Sequence, residues 1–185
     1  MPEIELESFL VSLSKSLPAM EAWVQAQAGL AHSASRPVSE LGFSRLGLYF
    51  RPGFLASARV VVVDRVPVPP LRDLGLGELA EFLDQDFRAI TYLDTYFVRC
   101  GEEGDEALHM HELIHVLQWR ILGARTFLKS YAAGLAWKGA YKDNPFEDMA
   151  YRLQEKFESR YGFSAESEVE AALKDFWRES WILPG

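Results

Sequence analysis

The chain is short of cysteine, of long apolar runs and of histidine, and each shortage removes a class of answers. Cys100 is the only cysteine, so no intramolecular disulfide and no cysteine-built metal site can form. Nothing beside it in sequence activates the thiol. The longest purely aliphatic run, residues 60–63, is far too short to span a bilayer. The first residues, Met-Pro-Glu-Ile-Glu-Leu-Glu, have neither the basic nor the apolar region of a signal peptide. A cytoplasmic location without a membrane span is therefore expected, with export by a route that needs no cleaved signal as the alternative. Basic residues number 19 against 27 acidic ones, a formal charge of −8. That balance lacks the basic stripe a nucleic-acid partner calls for, and reads as a solvated surface.

What is present suits a soluble globular protein of about one domain. The 185 residues are 49% hydrophobic and 25% charged, enough to bury a core without disulfides. Residues 1–35 read as a helical extension, broken near Pro18, with Leu6, Phe9, Leu10, Leu13 and Leu17 on one apolar face. Residues 32–39, small and polar around Pro37, read as a linker into a main domain over 36–185. Strands are expected over 43–50, 58–66 and 89–98, where β-branched and aromatic residues concentrate. A helix is expected over 76–88. After Asp105, a good N-cap, everything reads as helix: one to Leu122 ended by Gly123, one over 124–140, one capped by Asp143 or Asn144 with Pro145 in its first turn, and one over 165–181. Strands first and helices after is an α+β order.

The chemistry concentrates in His111-Glu112-Leu113-Ile114-His115, an HExxH sequence inside an expected helix. Residues four apart share a helical face, so both imidazoles can reach one ion. Glu112 is turned about 100° from His111, placing it to flank a metal without ligating it. Gln118 and Leu122 share the histidine face, while Met110, Ile114, Leu117 and Ile121 form an apolar face. Two buried histidines with a carboxylate between them are costly without a metal or other partners.

A catalytic zinc takes three protein ligands and leaves one position open. Of the four histidines, His109 points to the opposite face of the helix, His32 lies far upstream, and none follows His115. Gln118 and Ile121 occupy the positions where a metzincin would continue with glycine and histidine. The third ligand is therefore expected to be a carboxylate from the C-terminal helices. Glu147 is the first choice, at the edge of a stripe of Phe146, Met149, Ala150, Leu153 and Phe157, where the small Ala150 permits close helix approach. Asp143, Asp148 and His32 stand in reserve.

HExxH followed by a distant glutamate on a separate helix resembles the gluzincin group of zinc peptidases. His-Glu-Leu-Ile-His-Val-Leu-Gln (111–118) and Asn-Pro-Phe-Glu-Asp-Met-Ala-Tyr (144–151) resemble small predicted zinc peptidase domains, which carry an HEL-x-H-V-x-Q helix and a downstream N-P-x-E-x-x-A helix. Their preceding strand, with A-x-T and aromatics, resembles residues 89–98. The resemblance spans roughly residues 85–160. It implies a zincin-like fold, a small sheet packed on the HExxH helix with a C-terminal helical layer. It also implies a Zn2+ set of His111, His115 and Glu147, with Glu112 as general base and the preceding edge strand pairing with extended substrate. Tyr151 stands where thermolysin-like gluzincins place an aspartate that orients a histidine.

A zinc peptidase also needs a donor for the developing oxyanion. Tyr131, Tyr141 and Tyr151 are candidates, Tyr151 foremost because it follows Glu147 by one turn. Gln118 reads equally as a hydrogen-bonding partner near the site or as the cap of a polar pocket. The sequence thus points to a zinc metallopeptidase acting on a peptide or protein substrate. Its alternatives are a zincin-fold scaffold without catalysis and a non-peptide amide hydrolase. The N-terminal helical region could cover the cleft as a lid, and the apolar end around Trp177 and Trp181 could dock on the domain or mark a partner surface.

Overall fold

The computed structural model describes residues 6–83, 85–138 and 143–179. In chain order its elements are α1 (Leu6–Ala31), β1 (Arg36–Pro37), α2 (Pro52–Ser57), β2 (Arg59–Val63), β3 (Ala89–Tyr92), β4 (Thr95–Arg99), α3 (Glu106–Leu122), α4 (Ala124–Lys138), α5 (Pro145–Glu158) and α6 (Ala165–Glu179). Helical 3-10 turns lie at Val38–Glu40, Leu46–Leu48 and Gly77–Leu83. The strands form one small sheet in the order β1-β2-β4-β3. β2 and β4 run parallel, and the outer pairs are antiparallel. The architecture is α+β, and among the described residues no helix is long and apolar enough to cross a membrane.

α3 is the helix around which the rest is packed. Asp105 caps it by accepting from the backbone N–H groups of Ala107 and Leu108 at 3.1 and 3.2 Å, satisfying two of the donors a helix start leaves open. Gly123, at φ 73°, ends it. Every residue from Leu108 to Trp119 is buried, so α3 is covered all round instead of presenting one apolar stripe. β3 and β4 lie against it on one side, and α4, α5 and α6 cover the rest. Arg88, just before β3, fixes the register of sheet and helix: its guanidinium donates to Glu102 at 2.5 and 2.9 Å and to the capping Asp105 at 2.6 Å. Ile121, in the last turn of α3, is exposed.

Several local expectations are corrected. Residues 43–50 form a loop and a 3-10 turn, not a strand. Their buried residues, Leu46, Tyr49 and Phe50, are spaced three and four apart, which suits a helical turn and not strand alternation. The backbone N–H groups of Arg45 and Leu46 donate to the Glu106 carboxylate at 2.9 and 3.3 Å. Among the described residues of 76–88 only the 3-10 turn forms, and its three-residue period puts Leu76 and Leu79 on the same buried side. The strand over 89–98 is a hairpin of β3 and β4, reversed at Leu93, whose φ is +60°, and Asp94. α1 runs unbroken through Pro18. Pro18 and Ser14, whose carbonyl loses its helical donor, both lie on the exposed face, where water can serve that carbonyl. Within the expected linker, Arg36 and Pro37 add the short strand β1.

Phe9, Leu13, Leu17, Met20 and Val24 bury the apolar stripe of α1 in the same core as the sheet and the later helices. Asn144 caps α5 by accepting from Phe146 N at 3.1 Å, with Pro145 in the first turn. Tyr141, the expected end of α4 and residues 180–185 with Trp181 lie outside the described residues.

Candidate metal centre

The paired imidazoles come from α3 and the carboxylate from the first turn of α5. Nε2 of His111 lies 3.4 Å from Oε2 of Glu147, Nε2 of His115 lies 3.3 Å from Oε1, and the two Nε2 atoms are 3.1 Å apart. All three side chains are buried. A tetrahedral ion with ligands at about 2.0–2.2 Å spaces those ligands about 3.3–3.6 Å apart. The observed separations, 3.1–3.4 Å with each histidine nearest a different oxygen of Glu147, lie close to that spacing, so the residues fit a metal ion of that size, and the group could hold one. Two imidazole nitrogens and a carboxylate that all offer lone pairs cannot share that space without a cation or a proton between them. Nδ1 of His111 and Oε2 of Glu147 are buried without a hydrogen-bond partner.

The ionisation of the group follows from its crowding. Burial alone would lower the His115 pKa, but the Coulombic pull of Glu147 and the hydrogen bond to it dominate and raise it. Glu147 answers in kind: burial works to raise its pKa, and the two histidines overcome this and hold it well below the usual carboxylate range. Glu112 goes the other way. Burial raises its pKa, offset only in part by His111, His115 and the hydroxyl of Thr91.

Surrounding hydrogen bonds hold His115, Glu147 and Glu112 in place, and sequence reasoning located few of them. Gln118, fully buried one turn beyond His115, accepts from His115 Nδ1 at 2.8 Å through Oε1. Its acceptor oxygen requires that Nδ1 carry the proton, which leaves Nε2 free to ligate. The amide nitrogen of the same side chain donates to the Phe146 carbonyl at 3.0 Å, tying α3 to the residue before Glu147. Tyr131 on α4 donates to Oε1 of Glu147 at 2.6 Å. Thr91 on β3 donates to Oε2 of Glu112 at 2.6 Å. The A-x-T strand before the motif was the only sequence signal for Thr91.

The other sequence candidates fall elsewhere. Tyr151 sets its ring against His111, with centroids 4.5 Å apart, and its pKa is raised, first by burial and then by the nearby carboxylates. Asp143, Asp148 and His32 are exposed, and Asp148 pairs with Arg152 at 3.2 Å. His109 lies on the far side of α3, between the Tyr96 hydroxyl at 2.6 Å and the Glu103 carbonyl at 3.0 Å.

Two features adjoin the centre. A pocket of about 100 Å3 opens beside Glu112, His115 and Glu147. β3 is the outermost strand of the sheet. Because Arg99 N donates to Arg88 O at 2.8 Å, the antiparallel alternation turns the backbone of Ala89 and Thr91 outward, and among the described residues no backbone group bonds to them there. Comparison with family models, with curated proteins and with solved structures finds no match to this chain.

Proposed function

We propose that the chain is a zinc-dependent metallopeptidase of the gluzincin type. The reading is carried by the meeting of His111, His115 and Glu147 at one point, with Glu112 turned beside it from the same helix. The free edge of β3 running past the centre supports a peptide substrate, since an extended chain can add to it as a further strand. The sheet against α3 and the helical layer that supplies Glu147 suit a zincin-like arrangement.

His111, His115 and Glu147 would hold the ion, which when bound acidifies a water molecule and polarises a carbonyl. Gln118 keeps the His115 lone pair turned inward, and Tyr131 steadies the Glu147 carboxylate. Thr91 holds Glu112 by one oxygen. Glu112 takes a proton from the attacking water as the new C–O bond forms, then passes it to the amine nitrogen as the C–N bond breaks. The atoms balance as one water added across one amide. Tyr151, its ring against His111, is the proposed oxyanion donor, since the Tyr131 hydroxyl is committed to Glu147.

The test is cleavage of a peptide library by zinc-loaded protein, compared with Glu112→Gln. Cleavage by the wild type and its loss by at least about 100-fold in the variant, with zinc retained, is the expected result. Zinc-loaded protein that cleaves nothing overturns the peptidase reading in favour of a metal-binding scaffold.

A further inference from the structure

The pocket beside the centre has a chemistry of its own. Away from the ionisable groups its walls are apolar, with Phe127, Leu128, Ala132 and Leu135 from α4, Met20 from α1 and Leu79 from the 3-10 turn. The hydroxyls on its rim are engaged: Thr91 with Glu112, Tyr131 with Glu147, and Tyr92 with the Pro67 carbonyl at 2.8 Å. Apart from the proposed ligands and base, it contains no charged residue to meet a charged side chain. The Nε1–H of Trp119, on the wall, is buried without a partner and could meet a neutral acceptor. A charged side chain entering the pocket, however, would lose its water with no opposite charge to replace it, a handicap of roughly 5- to 150-fold.

Size narrows the class further. At about 100 Å3 the pocket is smaller than the cavities of about 150 Å3 that admit benzene. An aliphatic group of three or four carbons fits, and an indole does not. Consecutive residues Ala89, Ile90, Thr91 and Tyr92 all line it, although successive strand residues face opposite sides. The pocket therefore runs along the edge of β3, where a paired peptide would lie.

We propose that this pocket selects a branched aliphatic side chain, of valine to leucine size, beside the bond to be hydrolysed. The inference rests on the peptidase reading for the nature of the substrate, while the pocket's preference can be measured without turnover.

The experiment titrates full-length, zinc-loaded protein calorimetrically with acyl-amino-acid hydroxamates that share one chelating group and differ in one side chain: Ala, Leu, Trp or Asp. The Leu probe is expected to bind roughly 30- to 60-fold more tightly than the Ala probe, with Trp and Asp no better than Ala. Ala132→Leu, which fills the pocket, should reduce the Leu advantage to less than about fivefold. Leu128→Ala, which widens it, should move the best probe from Leu to Trp. Zinc content measured on each variant shows that the centre has formed. A flat or absent series, a preference for Asp, or a Leu preference untouched by both substitutions overturns the proposal. The expected order without peptide cleavage overturns only the peptidase reading, and cleavage without side-chain preference overturns only the pocket.

Discussion

Replacing Gln118 by leucine tests how far the site depends on a residue that touches no ion. The side chain is fully buried and spans from His115 Nδ1 at 2.8 Å to the Phe146 carbonyl at 3.0 Å. Leucine has nearly the same volume, so packing changes little and both polar contacts vanish. Without the acceptor, His115 loses the bond that fixes its tautomer, and an outer partner of this kind is typically worth 10- to 100-fold in metal affinity, about 1.4–2.7 kcal/mol. The metal-free protein suffers separately. The N–H of His115 Nδ1 is left buried and unpaired at about 1–3 kcal/mol, the Phe146 carbonyl loses its side-chain donor, and the cost is reduced by whatever relaxation the helices allow. The assay is zinc competition against a chromogenic chelator, with thermal unfolding of the metal-free protein measured alongside. Gln118→Glu, which keeps an acceptor for His115, should recover part of the affinity. A Gln118→Leu protein that unfolds earlier but binds zinc within twofold of wild type would refute the orienting role and leave Gln118 a mere tie between α3 and α5.

Other consequences follow from the same contacts. In metal-free protein the His115 pKa is raised to about 9 from an unfolded value of about 6.5, so its stabilising contribution is complete below about pH 6.5 and is lost as pH rises through about 9. Metal-free melting temperature should fall over that window, and calorimetry in buffers of different ionisation enthalpy should show about one proton released per zinc bound at pH 7; no proton release would contradict the raised value. Thr91→Val removes a hydrogen bond that favours ionised Glu112, so the acid limb of the pH–rate profile should move to higher pH, and an unmoved limb would exclude Thr91 from tuning the base. Gly134 passes so close to the cap of α5 that an added Cβ would stand 2.9 Å from Asn144 Oδ1 and 3.3 Å from Pro145 Cδ. Gly134→Ala should therefore displace the start of α5, lowering stability by about 1–3 kcal/mol and weakening zinc binding through Glu147; unchanged zinc affinity would show that α5 is held by other contacts.

The parts of the site that were legible in the sequence are those set by local helical geometry. His111, Glu112 and His115 are fixed relative to one another by the pitch of a single helix, and Asp105, Gly123, Asn144 and Pro145 mark its ends and the start of α5 through cap chemistry that acts over a few residues. Glu147 could be singled out from the stripe beside it and from the resemblance, yet its distance from the histidines depends on how α5 docks. The partners of the side chains were not legible, because Tyr131, Thr91 and the Phe146 carbonyl arrive from other elements and their meeting is a product of packing. The same limit explains the misread segments. Residues 43–50 have strand composition, but Leu46, Tyr49 and Phe50 carry helical spacing, and Glu106, 60 residues beyond Leu46, takes up the backbone donors of Arg45 and Leu46. Within residues 89–98 only Asp94 hinted at the reversal that makes β3 an edge strand. Pro18 proved compatible with a helix because of which face it occupies, a matter settled by what α1 packs against.

The most direct measurement is zinc stoichiometry and affinity for the wild type beside His115→Ala and Glu147→Ala, with X-ray absorption at the zinc edge for the wild type. One zinc per chain is expected, bound by two imidazoles and carboxylate oxygen, with affinity lost by orders of magnitude in either variant. Zinc held equally well by Glu147→Ala, or a first shell without paired imidazoles, would contradict the meeting of α3 and α5 at a single ion.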